Sequence, residues 1–403
     1  MKLGSWFFET DSNASKRDED VGQMKHKMLY VATYDVSLPG TGRTLRGKEM
    51  LRFFSEKYRV QLIDFKENYS SDGLVDREMS DLEKQIKRAQ VPFSRLGHYI
   101  FSPPLLHRTA VIMKHNRFDI IVADYGNAGI YGYLMAKRFA LPWVYCSMQV
   151  EYRRFIDFGR RDLRRFVFVP FLYLAERIGC KADLVVAISE PDARVFSKWV
   201  DAERLIVVPQ GFDETIYHPF YKVESAKEPV VLFIGNYDYM PNKEAVDIIH
   251  KTILPKVIGQ FPKAVFQFVG PNPPTYLYHP NIQFTGFVDD LVSYLRQAAL
   301  VIVPVLHAGG MRTKIIESLA CGKKVVSTEI GATGIPKYFS NLLIRDIDQF
   351  PSTICQILRS DEMVNGRDHD RFVEEFGWRN ILDRLNIKIA DMVDRQKRTS
   401  KHM

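Results

Sequence analysis

Between Met28 and Ser327 short β-branched and apolar runs alternate with stretches of helical period, and this alternation restricts the chain more than any other feature. A strand, a crossover helix and a further strand, repeated, require a parallel sheet covered on both faces by helices. The runs fall into two sets. Strands are expected at Met28–Thr33, Val60–Phe65, Asp119–Ala123, Trp143–Cys146, Leu184–Ile188 and Leu205–Val208. A second series follows at Val230–Ile234, Val265–Val269, Ile282–Thr285, Leu300–Val303 and Lys324–Ser327, with helices around Lys243–Ile258, Asp289–Ala298 and Thr313–Cys321. Pro209-Gln210-Gly211 signals a turn, and the charged stretch Tyr221–Glu228 reads as a linker. The length of 403 residues suits two cores. The expected class is therefore α/β: two doubly wound, Rossmann-like parallel-sheet domains, with ligands held in the cleft outside the carboxyl ends of the strands. Residues 1–27 read as a flexible leader, 28–215 as the first domain, 216–376 as the second, and 377–403 as a C-terminal helix packing back on the first.

Composition narrows the partners. A net charge of +8 and a pI near 9.1 suit something phosphorylated: a nucleotide, an anionic membrane surface or a nucleic acid. Cys146, Cys180, Cys321 and Cys355 lie far apart in apolar segments without C-x-x-C spacing, as reduced core residues of a cytoplasmic protein would. The longest apolar run, Phe166–Ala175, is interrupted by Pro170 and falls short of the roughly 18 residues that a membrane span needs. The ten histidines form no metal-ligand cluster, so no metal is expected.

One segment carries explicit chemistry. Val303-Pro-Val-Leu-His-Ala-Gly-Gly-Met-Arg-Thr-Lys-Ile-Ile-Glu317 leaves a strand, passes Gly309-Gly310 and opens a helix. Glycines let backbone amides approach an anion, and a helix N-terminus adds roughly half a positive charge. Arg312 and Lys314 can then grip a diphosphate, and Glu317, one turn on, can accept from two ribose hydroxyls. A surface ion pair between Lys314 and Glu317, at i and i+3, would explain the same spacing.

Together with this segment, Val231-Leu-Phe-Ile-Gly-Asn236, Pro241-Asn242, Phe268-Val-Gly270, Thr285-Gly-Phe-Val-Asp-Asp290, Ala299-Leu-Val-Ile-Val-Pro304, Val325-Val-Ser-Thr328 and Gly331-Ala-Thr-Gly334 resemble, in order, the donor-binding domain of retaining family-4 glycosyltransferases. Weaker similarity extends back to residue 28. The resemblance implies a GT-B fold and metal-independent, anomer-retaining transfer from a nucleotide-diphosphate sugar, with no further cofactor. By that resemblance Gly235, Asn236, Gly309, Gly310, Arg312, Lys314 and Glu317 bind the donor, and Arg312, Lys314 and Glu151 carry the catalysis. The family has two glutamates in this motif; the first falls at Gly309, as in a branch with a Gly-Gly-x-Arg-x-Lys variant, where backbone amides take its place. The family's N-domain histidine falls at Met148, within Ser147-Met-Gln-Val-Glu-Tyr152.

In the first domain Gly40, Thr41, Gly42 and Arg43 form a strand-to-helix turn that would face the donor phosphates or the acceptor. Gly42–Glu49 has the P-loop spacing, but Glu49 stands where Ser or Thr must hold magnesium, which argues against an ATPase or GTPase. Asp124 is a further cleft candidate, or a cap of the following helix; Glu151 could orient a substrate, or pair with Arg153 or Arg154. The run Arg153–Arg165 interleaves arginines with aromatics and suits an anionic membrane surface. No recognised nucleic-acid-binding pattern accompanies it. The expected activity is transfer to a glycan or lipid-linked acceptor in polysaccharide or glycoconjugate synthesis, on the cytoplasmic side. A non-catalytic nucleotide-sugar or glycan-binding protein, and more remotely a nucleotide-sugar epimerase, fit the same fold.

Overall fold

The computed structural model describes residues 25–38, 42–67, 77–93, 100–158, 165–219, 228–307, 309–360 and 366–401. Its strands are β1 (Lys27–Ala32), β2 (Arg59–Lys66), β3 (Lys87–Pro92), β4 (Ile120–Asp124), β5 (Trp143–Cys146), β6 (Leu184–Ala187) and β7 (Leu205–Val207), followed by β8 (Val230–Ile234), β9 (Val265–Val269), β10 (Ile282–Gly286), β11 (Leu300–Val303), β12 (Val325–Ser327) and β13 (Leu342–Ile344). They form two parallel sheets, ordered β3-β2-β1-β4-β5-β6-β7 and β10-β9-β8-β11-β12-β13. Each order reverses once, between β1 and β4 and between β8 and β11, and each reversal leaves a crevice at the strands' carboxyl ends.

The alternation along β1 shows why both faces are covered. Met28, Tyr30 and Ala32 enter one core with the helix Gly42–Lys57, while Leu29 and Val31 enter another with the helices Pro103–His115 and Ala128–Phe139. Two strands were not expected. β3 reads Lys-Arg-Ala-Gln-Val-Pro, with little β-branched character, and occupies an edge, where Arg88 reaches Asp35 at 2.9 Å and Asp64 at 2.6 Å. β13 is another edge and has three residues. The helix expected at 243–258 is three pieces, Met240–Ile248, a π-turn at Ile249–Ile253 and Leu254–Ile258. Pro255 has no N–H for the ladder, which accounts for the widened turn before it.

The linker expected at 221–228 lies almost wholly outside the described residues, as does most of the 1–27 leader. The crossings on either side are described. Phe212 N donates to Phe376 O at 3.1 Å and Trp378 N to Phe212 O at 3.1 Å, so the outgoing and returning chains are bridged as a parallel pair. Gly211 is needed there, because a Cβ would lie 2.6 Å from the Trp378 ring. Beyond the bridge the helix Trp378–Lys401 buries Trp378, Ile381, Leu382, Leu385, Ile389 and Val393 in the core of the seven-stranded domain, along one helical face.

Candidate functional site

The crevice of the six-stranded domain is built around the helix Thr313–Ala320, which β11 and the glycine loop deliver. Gly310 has φ +67, a conformation that favours glycine, and a Cβ there would lie 3.1 Å from the carbonyl of Met148 in the other domain. Across the gap Gly42 starts the helix Gly42–Lys57, and a Cβ on it would lie 3.4 Å from the Thr313 methyl. The first residues of two helices therefore lie side by side, and each N-terminus brings a partial positive charge to the same place.

Arg312 deepens that pole. It is 8% exposed, and its Nε and Nη2 find no hydrogen-bond partner. Burial lowers its pKa to about 10, with Asp192 and Tyr239 opposing the shift, so it stays charged at neutral pH. A buried charge without hydrogen-bond partners carries the full cost of its desolvation, which an anion would relieve.

Lys314 does not form the surface pair with Glu317. Its Nζ donates to Asn242 Oδ1 at 2.9 Å and lies 4.5 Å from the centre of the Phe233 ring. Asn242 is fixed in turn by its Nδ2 bond to the Asn236 carbonyl at 2.8 Å. Burial in the crevice pushes Lys314 down to about 7, Arg312 adding to the effect and Glu317 opposing it. Glu317 accepts from the Tyr217 hydroxyl at 3.3 Å; burial raises it to about 7 against that bond and the Lys314 charge. Gly235 and Asn236 line the end of β8: a Cβ on Gly235 would lie 2.6 Å from Asn242 Nδ2, and Asn236 Oδ1 accepts from Asp238 N at 2.9 Å and Asn272 Nδ2 at 3.2 Å. Gly235, Asn236, Gly309, Gly310, Arg312, Lys314 and Glu317 thus share one crevice. Tyr217, which holds Glu317, carries no signal of its own in the sequence, and Asn242, which holds Lys314, lies in the matched Pro241-Asn242 pair without a role read for it there.

The N-domain candidates fare differently. Gly40 and Thr41 lie outside the described residues. Arg43 stands between the rings of Tyr34 and Tyr125, at 4.9 and 5.0 Å from their centres. Asp124 neither faces the cleft nor caps a helix: it is fully buried, accepting from Tyr30 at 2.8 Å and Tyr34 at 2.5 Å, and burial raises its pKa. Met148 places its side chain in the core, and its carbonyl reaches the glycine loop. Glu151, expected on the reacting side, is buried, with one oxygen taken by Gln149 at 2.7 Å and the other by Arg154 at 2.9 Å. Its contacts among the described residues are with Gln149 and Arg154, which it holds from beneath. Of the run 153–165, residues 159–164 lie outside the description; the rest belong to two helices, Glu151–Phe158 and Arg165–Gly179.

The chain was compared with known proteins. The family model Glycosyltransferase Family 4 matches residues 49–215, and Glycosyl transferases group 1 matches residues 228–360. A D-inositol 3-phosphate glycosyltransferase of Thermobispora bispora is 23% identical over 331 residues, covering 72% of this chain and 75% of its own. Among solved structures, HepE of Anabaena in complex with UDP superposes with a TM-score of 0.69 at 16% identity, covering 91% of this chain and 100% of that one. Sucrose-phosphate synthase of Thermosynechococcus elongatus gives 0.72 at 14% identity, covering 92% and 100%.

Proposed function

Because the chain belongs to the glycosyltransferases of the family-4 and group 1 type, with a GT-B fold, we propose that it moves a sugar from a nucleotide-diphosphate sugar to a glycan or lipid-linked acceptor, without a metal and with retention at the anomeric carbon. The observation that carries the reading is Arg312, a buried guanidinium with two nitrogens lacking hydrogen-bond partners at the meeting of two helix N-termini. A diphosphate supplies what that pole lacks. The structural neighbours HepE with UDP and HepE with UDP-glucose support a donor of this kind.

In this mechanism the bond from the anomeric carbon to the β-phosphate oxygen breaks while the acceptor oxygen bonds to the same carbon on the same face. The acceptor's proton passes to the departing phosphate. Charge gathers on the diphosphate as the bond lengthens, and Arg312, Lys314 and the backbone amides at Gly309 and Gly310 are the groups that would meet it. Glu317 holds the ribose.

The acceptor side carries the membrane part of the proposal. Phe166 (65% exposed), Val167 (62%), Pro170, Tyr173 and Leu174 (56%) lie along the outer face of the helix Arg165–Gly179, and Ile156 of the neighbouring helix is exposed too. Arg153, Arg177 and Lys181 are exposed close by in the chain, so the surface suits an anionic bilayer. Among the described residues no helix is long and apolar enough to cross a membrane.

The test is a thermal shift with UDP, GDP, ADP, CMP and dTDP. At 100 times its dissociation constant a ligand stabilises the native state by about 2.7 kcal/mol. One nucleotide should shift the wild type and not Glu317→Ala, and no shift with any of them would sink the donor reading. Product anomers read by NMR test retention, and turnover in EDTA tests metal independence. A second reading, a nucleotide-sugar or glycan-binding protein without turnover, is favoured by one observation: Met148 buries an apolar side chain where the family's histidine would stand. Any sugar transfer by the pure protein eliminates it.

A further inference from the structure

Position 309 has no side chain, yet the space beyond it is filled. A Cβ placed on Gly309 would overlap Oε1 of Gln149, which reaches across from the segment after β5 in the other domain. The orientation of that amide is determined. Gln149 Nε2 donates to Glu151 Oε1 at 2.7 Å, and an ionised carboxylate only accepts, so Nε2 must face Glu151 and Oε1 must face the glycine loop.

The support behind Gln149 is stiff. Glu151 Oε2 takes Arg154 Nε at 3.0 Å and Nη2 at 2.9 Å, and Glu151 N donates to Glu176 Oε1 at 2.6 Å. Ser147 Oγ donates to the Gln149 carbonyl at 2.8 Å. Glu151 and Glu176 are both buried, while Gln149 keeps partial exposure. Among the described residues Oε1 itself receives no hydrogen bond.

The donor reading above sets an order along the motif. With Glu317 on the ribose and Arg312 and Lys314 on the diphosphate, the loop at Gly309 would lie on the side where the sugar leaves the phosphate. A fixed acceptor atom there is well placed for a sugar hydroxyl. We infer that Gln149, supplied by the opposite domain, takes the place of the side chain that position 309 lacks and accepts a hydrogen bond from a hydroxyl of the donor's sugar. The inference rests on the donor reading above and assigns to Gln149 the hold on the sugar that the resemblance left to backbone amides.

The experiment compares wild type, Gln149→Met and Gln149→Ala. Met keeps the length that packs against Gly309 and has no oxygen; Ala removes both. Calorimetric titrations with UDP and GDP are set beside UDP-glucose, UDP-galactose, UDP-N-acetylglucosamine and GDP-mannose, and the tightest sugar nucleotide is repeated as its monodeoxy sugar analogues. Loss of one neutral hydrogen bond corresponds to a weakening of about three- to tenfold. Both variants should bind the bare nucleotide within about twofold of wild type and lose that factor for the sugar nucleotide. Wild type should discriminate against one deoxy analogue, and the variants should not. Equal losses for nucleotide and sugar nucleotide would mean that Gln149 only props the loop, and unchanged discrimination, or a wild type with no extra hold on any sugar, would equally overturn the inference. A wild type that binds no nucleotide is a different result, because it removes the donor reading itself.

Discussion

Arg312 illustrates how a single residue reports a missing ligand. Its nearest negative charges, including Asp192, act at a distance, and two of its nitrogens have no hydrogen-bond partner. Replacing it by an apolar residue of similar length removes a desolvated charge, so Arg312→Met is expected to leave the melting temperature of the free protein unchanged or raise it. The same variant should lose about ten- to a hundredfold in nucleotide affinity, the range for a charge-assisted contact. Thermal melts with and without nucleotide check both halves. Lys314 adds a pH signature. Burial holds it near 7, and a bound diphosphate favours its charged form, so its pKa rises on binding. Between those two values binding takes up a proton, and affinity should fall as pH rises above about 7. Calorimetry at pH 8 in two buffers of different ionisation heat should show that uptake, and Lys314→Met should abolish it. The charged crevice of the six-stranded domain was legible because chemistry and spacing coincide in a continuous stretch from Gly309 to Glu317. Asp124, Met148 and Glu151 were not, because exposure depends on what packs over a strand's end, and Tyr30, Tyr34 and Arg154 come from elsewhere in the chain or from the next turn of a helix.

At the level of elements, the periodicity that predicts a helix also predicts which side it buries, and Arg165–Gly179 departs from the usual outcome. Its buried side is short, at Leu172, Ala175 and Glu176, while Phe166, Val167, Tyr173 and Leu174 look outward. A stripe of that kind beside basic residues is expected to seat on lipid. Phe166→Asp combined with Leu174→Asp should reduce co-sedimentation with vesicles containing phosphatidylserine by tenfold or more at fixed lipid, since each change removes apolar burial of about 1.5–3 kcal/mol and adds a negative charge. Transfer to a soluble acceptor should persist; loss of both would point to misfolding. The central strands were readable as β-branched runs buried on two faces. The edges β3 and β13 were not, since an edge strand needs neither, and β3 is further supported by the ion pairs of Arg88 with Asp35 and Asp64.

For the whole molecule, each strand order has one switch point, and the neighbours of Gly42, Gly309 and Gly310 in the opposite domain show how closely the halves approach at the glycine loop. The alternation in the sequence announced two sheets; it said nothing about how they face each other, because that depends on the bridge at Phe212 and Gly377 and on the final helix. Trp378 anchors that helix, 4% exposed, beneath the fully buried Arg46. Trp378→Ala is expected to cost about 3–5 kcal/mol, seen as a lower denaturation midpoint, with the loss confined to the seven-stranded domain if the two domains unfold separately.

The returning helix also means that the order of the sequence and the order of the solid body differ. A chain cut once within 220–227 would not yield one domain per fragment. The second piece would carry a side of the first domain's core, from Trp378 to Val393, and the first would be left with that apolar wall uncovered. The two pieces are therefore complementary halves of one object, each needing the other to be whole, and a ribosome making this chain cannot finish the first domain until it has made the last helix.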